Sequence, residues 1–266
     1  MYGICLTPIL DFPACTCYTG FLEVDPMTAS KLAGIILPFA LLLLGMAAYI
    51  YKNIMWPKVM KIGSGPIHVS CVGDSITFGQ GVFMHRKQWS YQAFLSGLLG
   101  EKYTFFNYGL SNRTLLPVGN DHYFSEKIGR TAWNTRADIL IFMLGTNDSK
   151  LILWDEARFE KEYTDVIEHY QQMGCFKQIY IMIPPKVFDD RPGKKGCNTW
   201  IIEKNIAPVI RRVAEACAVE LIDLYTLTSC HREWFPDKLH PNKDGNRAIA
   251  EEIAKHMQSN DIARPV

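Results

Sequence analysis

The sequence predicts an α/β domain that is built on a parallel β-sheet and preceded by a single transmembrane helix. From residue 67 onward, short apolar runs rich in branched and aromatic residues alternate with longer amphipathic stretches. Such alternation is typical of a parallel sheet covered by helices on both faces. Nearer the N-terminus, residues 32–51 contain no charged side chain. A length of 266 residues suits one such domain with an N-terminal extension.

The apolar segment at residues 32–51 has the length of a membrane-spanning helix. At about 1.5 Å per residue, its 20 residues reach about 30 Å, the thickness of the hydrocarbon core of a bilayer. Lys31 and Lys52 bracket the segment, and Tyr49 and Tyr51 stand where interfacial aromatic residues are found. The alternatives are a buried core helix and a cleavable signal peptide. Because no small-x-small cleavage site follows the run, we expect an uncleaved anchor.

The other domain boundaries follow from this anchor. Residues 1–31 form a leader that we expect to be poorly ordered. Residues 52–65, which end in Gly-Ser-Gly, have the composition of a juxtamembrane linker. We expect the folded domain to occupy residues 66–259 and a short C-terminal tail to follow at residues 260–266.

Within the folded domain, the strands are expected where short runs are both apolar and rich in β-branched or aromatic residues. Those runs are residues 67–72, 103–108, 139–144, 178–183 and 218–224. The clearest helix between them places Phe159, Tyr163, Val166, Ile167 and Tyr170 on one face. In parallel sheets of this kind, ligands bind at the carboxyl ends of the strands.

Composition excludes several classes of function. The formal net charge is +1, so no global field draws the chain to nucleic acid, and no nucleic-acid partner is expected. The eight cysteines form no CxxC pair, and the histidines show no metal-ligand spacing. We therefore expect no metal site. A disulfide among Cys175, Cys197 and Cys230 stays open at this point.

Chemically competent residues follow the predicted strands at their carboxyl ends. Gly73-Asp74-Ser75 comes directly after the first strand, Gly109 after the second and Asn147-Asp148 after the third. The loop before the last helix carries Asp237 and His240. Each piece alone is compatible with an ordinary turn, cap or loop glycine. Because all of them are expected at one edge of the sheet, they can meet in one site.

Together these residues have the composition of an acyl-transfer site. Ser75 is the expected nucleophile, His240 the general base and Asp237 the group that fixes the imidazole tautomer. The oxyanion would be bound by the backbone N–H groups of Ser75 and Gly109 and by the side-chain amide of Asn147. Asp74 and Asp148 adjoin these residues, and we expect them to brace the loops through hydrogen bonds.

The four blocks, in this order, resemble those of the SGNH (GDSL-type) hydrolases, whose letters correspond here to Ser75, Gly109, Asn147 and His240. The resemblance covers nearly all of the chain after residue 67. It implies a flavodoxin-like three-layer α/β/α sandwich with about five parallel strands and cofactor-free hydrolysis of esters or thioesters. The segments VGDSITFGQGV, MLGTNDSK and FPDKLHPN are similar to those of the carbohydrate-esterase-like branch, whose members often remove acetyl groups from sugars.

The sequence thus predicts a membrane-anchored serine esterase that hydrolyses acyl esters, chiefly acetyl esters on carbohydrate. The alternatives are a lipid-directed esterase, a lysophospholipase or a thioesterase. An O-acyltransferase and a non-catalytic binding module on the same fold are further alternatives. The expected partners are a small-molecule or carbohydrate ester and a membrane.

Two sequence patterns favour opposite sides of the membrane for the catalytic domain. Lys52, Lys58 and Lys61 follow the anchor, which by the positive-inside rule favours the cytoplasm. A start at Met27 would instead leave a short leader with Lys31, and anchored proteins similar to this one generally act outside the cytoplasm. We expect an extracytoplasmic catalytic domain.

Overall fold

The computed structural model describes residues 26–189 and 193–262. The chain divides into two units, residues 1–49 and residues 50–266. The expectation of a poorly ordered leader falls mostly on residues outside the described part of the chain.

The N-terminal helix of the described residues is apolar over most of its length. Helix α1 covers Pro26–Met55 and continues past the predicted span of residues 32–51. Its side chains from Gly34 to Tyr49 are exposed. The stretch Gly34–Met55 is long and apolar enough to cross a membrane, a test that an N-terminal signal sequence also passes.

The second unit contains a six-stranded sheet in the order β1-β3-β2-β4-β5-β6. The strands are β1 Met60–Gly63, β2 Ile67–Gly73, β3 Tyr103–Gly109, β4 Ile139–Met143, β5 Gln178–Ile183 and β6 Glu220–Asp223. Strands β2 to β6 are parallel to one another, whereas β1 is antiparallel to β3. The predicted set of about five parallel strands is confirmed, and an antiparallel edge strand is added to it.

Short and long helices connect the strands. They are α2 Ser75–Phe78, α3 Arg86–Trp89, α4 Tyr91–Leu99, α5 Lys127–Trp133, α6 Glu156–Gln172, α7 Thr199–Ile201, α8 Ala207–Ala216, α9 Leu224–Thr228 and α10 Lys243–Ile262. A π-helical turn, Ile202–Ile206, joins α7 to α8. Segments of 3-10 helix occur at Gln80–His85, Tyr123–Ser125, Asn147–Ser149 and Arg232–Trp234. Helix α10 reaches Ile262, so it extends into the expected tail of residues 260–266.

The sheet separates two hydrophobic cores, because successive side chains of a strand point to opposite faces. In β4, Leu140 and Phe142 join the core formed with α5, α6 and α8. Ile141 and Met143 belong to the other core, which α4 and α10 cover. The predicted three-layer α/β/α sandwich is therefore confirmed.

The structure differs from the sequence-based boundaries at the expected linker. Residues 60–63, which we placed in a linker of residues 52–65, form β1 along the outer edge of β3. Val59 packs against the hydrophobic core. The strand is only four residues long and only half-buried, so it lacks the apolar run that marks the central strands. Burial of the β3 edge, and not a local propensity, explains this strand.

Two truncated chains test the contribution of β1. A chain that begins at Lys52 should fold, whereas one that begins at Ile67 should lose the hydrogen bonds and the cover of the β3 edge. If β1 contributes about 2–3 kcal/mol, its loss lowers Tm by roughly 5–10 °C and promotes edge-to-edge aggregation. Thermal unfolding and light scattering measure both effects. Equal Tm values for the two chains would contradict the structural role of β1.

The cysteines of the described residues are free thiols. Cys71 and Cys197 are buried, Cys175 and Cys217 are half-buried, and Cys230 is exposed. The disulfide that the sequence left open among Cys175, Cys197 and Cys230 is therefore absent from the described part of the chain.

Candidate active site

Ser75 lies at the sharp turn between β2 and α2. It is the first residue of α2, and the preceding Asp74 caps the helix by accepting the Ile76 N–H at 2.9 Å. Gly73 allows the turn, because a Cβ there would lie 2.3 Å from Thr77 Oγ1 and 2.5 Å from the Met143 carbonyl oxygen. Among the described residues, the Ser75 N–H donates no hydrogen bond. The turn thus presents the Ser75 hydroxyl and an unpaired N–H at the carboxyl edge of the sheet.

Ser75, His240 and Asp237 form one hydrogen-bonded chain. Ser75 Oγ lies 2.9 Å from His240 Nε2, and His240 Nδ1 lies 2.6 Å from Asp237 Oδ2. The other oxygen of Asp237 accepts the N–H groups of Leu239 at 3.0 Å and His240 at 2.7 Å. Since a carboxylate only accepts, Nδ1 carries the proton and Nε2 accepts from the serine hydroxyl.

The charge of Asp237 is fixed by these contacts. Partial burial alone would raise the pKa of its carboxyl group. The hydrogen bonds from His240 and Leu239 outweigh burial and hold the pKa well below its usual range. Asp237 is therefore ionised at every pH at which the protein would be assayed, and it can stabilise a protonated imidazole.

Backbone contacts hold the loop that carries His240. Asn246 at the start of α10 donates to the Pro241 carbonyl at 2.8 Å. Gly81, in the turn after α2, approaches the same carbonyl so closely that a Cβ there would lie 2.3 Å from it. Lys238 takes a left-handed conformation with φ 71°, which turns the chain between Asp237 and His240. These contacts fix the imidazole relative to the segment that bears Ser75.

Asn147 is the first residue of the 3-10 turn after β4, and it is buried. Its Nδ2 donates to the Arg113 carbonyl at 3.1 Å, and its Oδ1 lies 3.9 Å from the Cys197 thiol. Both ends of the amide therefore have partners, which sets its orientation. The second hydrogen on Nδ2 is available to a substrate oxygen.

Gly109 lies at the carboxyl edge, but its N–H is not available. The group donates to Asn107 Oδ1 at 2.8 Å, which contradicts our expectation that it binds the oxyanion. A Cβ at Gly109 would lie 2.1 Å from the Phe78 nitrogen. Gly109 is thus required for the close packing of β3 against α2, the helix that presents Ser75.

Asn112 lies beside the candidate site and was not among the residues predicted from the sequence. It has φ 59°, and among the described residues its N–H donates to no partner. It directly precedes Arg113, whose carbonyl contacts Asn147, and its Oδ1 accepts from Lys150 Nζ at 2.9 Å. One sequence signal could have identified Asn112, namely an asparagine in the loop after a strand. Asparagine tolerates the left-handed region better than most residues, so it is a candidate for a sharp turn there.

Asp74 and Asp148 are both fully buried beside the site. Asp148 accepts the N–H groups of Leu115 at 3.1 Å and Leu116 at 2.7 Å, which ties the turn after β4 to the segment after Asn112. Burial raises the pKa of Asp74 to about 6 and that of Asp148 to about 7, although backbone hydrogen bonds partly oppose the shift. The folded protein therefore holds these protons more tightly than the unfolded chain does.

This linkage predicts how stability depends on pH. Because the folded-state pKa values lie above the ordinary value of 3.8, the stabilisation is complete below about pH 4 and is lost as the pH rises through 6 to 7. Replacing Asp148 by Asn should flatten this decline, whereas Asp165→Asn on the exposed side of α6 should not. Denaturant unfolding at several pH values measures the slope. An unchanged slope in Asp148→Asn would contradict the assignment.

The described part of the chain has no cluster of side chains that could bind a metal ion together. No group of three or more His, Cys, Asp or Glu side chains there is placed to hold a metal ion.

Comparison with known proteins connects this site to a family. A model described as "GDSL-like Lipase/Acylhydrolase family" matches residues 71–248. An acetylxylan esterase from Xylanibacter ruminicola is 31% identical over 219 residues, which are 76% of this chain. The chain spans only 44% of the length of that relative.

Solved structures support the fold. A carbohydrate acetylesterase from Sinorhizobium meliloti is similar with a TM-score of 0.61 and 20% identity, covering 73% of this chain and 99% of that one. Axe2, an acetylxylan esterase from Geobacillus stearothermophilus, gives a TM-score of 0.55 and 18% identity over 74% of this chain and 95% of that one. At these identities the likeness concerns the fold alone.

Proposed function

The chain belongs to the GDSL-like lipase/acylhydrolase family, the family of the SGNH hydrolases, and on this premise we propose that it is a serine esterase that removes acyl groups, chiefly acetyl groups, from carbohydrate. The observation that carries the proposal is the hydrogen-bonded chain from Ser75 through His240 to Asp237. A serine hydroxyl with a base at 2.9 Å, itself oriented by a carboxylate, is the arrangement that acyl transfer requires.

In the proposed mechanism, His240 Nε2 accepts the hydroxyl proton as Ser75 Oγ attacks the ester carbonyl carbon. Asp237 stabilises the resulting imidazolium. The tetrahedral intermediate collapses when His240 gives the proton to the departing sugar oxygen, which leaves an acyl group on Ser75. A water molecule then attacks the acyl-enzyme with His240 again as base, and release of acetate regenerates the serine.

Three donors are proposed for the oxyanion: the N–H of Ser75, the Nδ2 of Asn147 and the N–H of Asn112. Each retains a hydrogen that no described residue accepts. Asn112 replaces Gly109 in this set, because the Gly109 N–H is committed to Asn107. Donors that are already oriented lower the barrier most, since they need no reorganisation as negative charge develops.

Replacing Asn147 by Ala tests this set. The loss of one oriented donor should lower kcat by about 10²–10³ with a smaller change in KM. Steady-state kinetics on an aryl acetate measures both constants, and Asn134→Ala, at an exposed position after α5, serves as the matched control. A raised KM with an unchanged kcat would instead indicate that Asn147 binds the ground state.

The substrate class is proposed from the relatives. The two acetylxylan esterases and the carbohydrate acetylesterase named above favour a substrate with acetyl groups on sugars. A panel of acetylated xylo-oligosaccharides and of aryl esters of graded chain length tests the proposal. We expect the highest kcat/KM for acetyl esters. A preference for long acyl chains would favour the lipid-directed alternative and overturn the assignment.

We further propose that α1 anchors the protein in a membrane and that the catalytic domain lies outside the cytoplasm. The length and apolarity of Gly34–Met55 support the anchor. The full chain should then resist extraction from membranes by salt and alkali. Cys230 is exposed, unlike the buried Cys197, so it suits labelling of intact cells with an impermeant thiol reagent. Labelling that occurs only after lysis, and that Cys230→Ser abolishes, would place the domain in the cytoplasm.

A further inference from the structure

The chain enters the sheet at the edge that carries the candidate site. Because β1 is antiparallel to β3, Met60 lies opposite Asn107 and Gly63 opposite Thr104. The residues before Met60 therefore lie towards the carboxyl end of β3, at Gly109. In agreement, Trp56, Val59 and the other residues of this segment line a cavity of about 360 Å³ together with Leu110 and Ile128.

Covalent geometry limits the distance between this edge and the end of α1. The apolar stretch of α1 ends at Met55, and five Cα–Cα steps connect Met55 to Met60. At about 3.6 Å per step, the connection spans at most about 18 Å. If a bilayer holds α1 as far as Met55, Met60 therefore lies at most about 18 Å from the bilayer surface. Trp56 follows Met55 directly and is the residue type that favours the membrane–water interface.

The same edge carries unusual exposed apolar side chains. Met84 is 75% exposed, Leu151 59%, Ile152 52% and Trp200 61%, and these four residues are called the apolar rim here. They follow the carboxyl ends of β2, β4 and β5. After Trp56, the only other large apolar side chain exposed among the described residues is Leu98, at the opposite edge where α4 ends.

Basic residues accompany the apolar rim. Lys150 precedes Leu151, and the Ile152 N–H donates to the Lys194 carbonyl at 3.3 Å, which brings Lys194 and Lys195 to the same loops. Asp155, in the loop after Ile152, is committed to capping α6. Exposed apolar groups interspersed with lysines complement the acyl boundary and the anionic headgroups of a bilayer.

We propose that the apolar rim lies on the surface of an anionic bilayer, so that the enzyme acts on acyl esters presented at that surface. The substrate class is then an amphiphile, an acylated saccharide with an apolar tail, and not a polymer free in solution. This proposal rests on the proposed esterase activity and on the proposed anchoring of α1. It explains why four of the five large apolar side chains that are exposed after Trp56 among the described residues lie at this edge.

Kinetics on vesicles tests the proposal. The full chain is reconstituted in vesicles of phosphatidylcholine and phosphatidylglycerol, and Leu151→Ser/Ile152→Ser/Trp200→Ser is compared with the control Leu98→Ser. Two acetyl esters are used, an acetylated dodecyl glycoside in the vesicles and a water-soluble aryl acetate. The ratio of kcat/KM on the glycoside to that on the aryl acetate should fall by at least about tenfold in the triple variant, and should be unchanged in Leu98→Ser.

The kinetic outcomes separate the proposals. An unchanged ratio in the triple variant would overturn the bilayer contact. A similar loss on a soluble acetylated oligosaccharide would show that the rim binds sugar, which also overturns it. If the wild-type chain hydrolyses neither acetyl ester, the proposed function fails, and the contact is then decided by the fluorescence measurement below.

Tryptophan fluorescence reports the contact without any activity. In vesicles that contain brominated lipid, Trp200 should be quenched, so Trp200→Phe should reduce the quenched share of the emission. Trp133, the last residue of α5 at the opposite edge, stacks on His169 and provides the control Trp133→Phe. If Trp200→Phe and the wild-type chain show the same quenched emission, the rim does not touch the bilayer.

Discussion

Replacing Ser75 by Ala should lower kcat/KM on an aryl acetate by on the order of 10⁴-fold or more. The Ser75 hydroxyl is the only described nucleophile within hydrogen-bond distance of His240 Nε2, and alanine removes the atom that would form the acyl-enzyme in the proposed mechanism. Residual turnover would come from attack by water on an ester whose carbonyl oxygen is bound by the oxyanion donors. Steady-state rates and a burst assay for the acyl-enzyme measure the loss.

The fold should survive this substitution. Ser75 is 5% exposed and alanine is smaller, so neither a clash nor a large cavity results. Tm should match the wild-type value, and Ser229→Ala, at the end of α9, should match it in both Tm and activity. Activity within tenfold of wild type in Ser75→Ala would exclude Ser75 as the nucleophile and remove the basis of the proposed mechanism.

Replacing Asp237 by Asn should lower kcat by about 10⁴-fold. An amide can turn its nitrogen towards His240 Nδ1, which would then accept a hydrogen bond instead of donating one. Nε2 would carry the hydrogen and could no longer accept the Ser75 proton. The backbone N–H groups of Leu239 and His240 would still have the Oδ1 atom as an acceptor, so the loop should keep its conformation.

The test of Asp237 needs kinetics and a stability control. Asp244→Asn, in the first turn of α10, alters a carboxylate of the same region without touching His240. It should retain wild-type kcat, whereas Asp237→Asn should lose activity with little change in Tm. A loss of less than tenfold in Asp237→Asn would mean that the imidazole tautomer is fixed by another group.

The sequence predicted the parallel strands accurately because burial on both faces leaves a local signature. The run at residues 178–183 matches β5, and the other four predicted runs differ from the observed strands by at most two residues at either end. A strand covered by helices on both faces must be apolar at nearly every position, so composition alone marks it. Strand β1 has no such signature, since half of it faces solvent at the sheet edge.

The candidate site was likewise predicted in part from the sequence. Ser75 and Asn147 were predicted from their types and from their positions after strands, and Asp237 and His240 from the loop before the last helix. The structure brings Ser75, His240 and Asp237 into hydrogen-bond contact. The expectation for Gly109 was wrong because the competing acceptor, Asn107 Oδ1, is a matter of side-chain direction. No spacing in the sequence reports which backbone N–H is already occupied.

By itself, the sequence determined the α/β class, the five parallel strands, the apolar N-terminal helix and the residue types of the candidate site. These features depend on local composition and on the order of elements along the chain. Only the tertiary structure decided that the Gly109 N–H donates to Asn107, that Asn112 takes a left-handed conformation, and that Met60–Gly63 pairs with the edge of β3. Each of these depends on which groups meet across the fold, because a hydrogen-bond donor or a strand edge is free only when no distant residue has reached it.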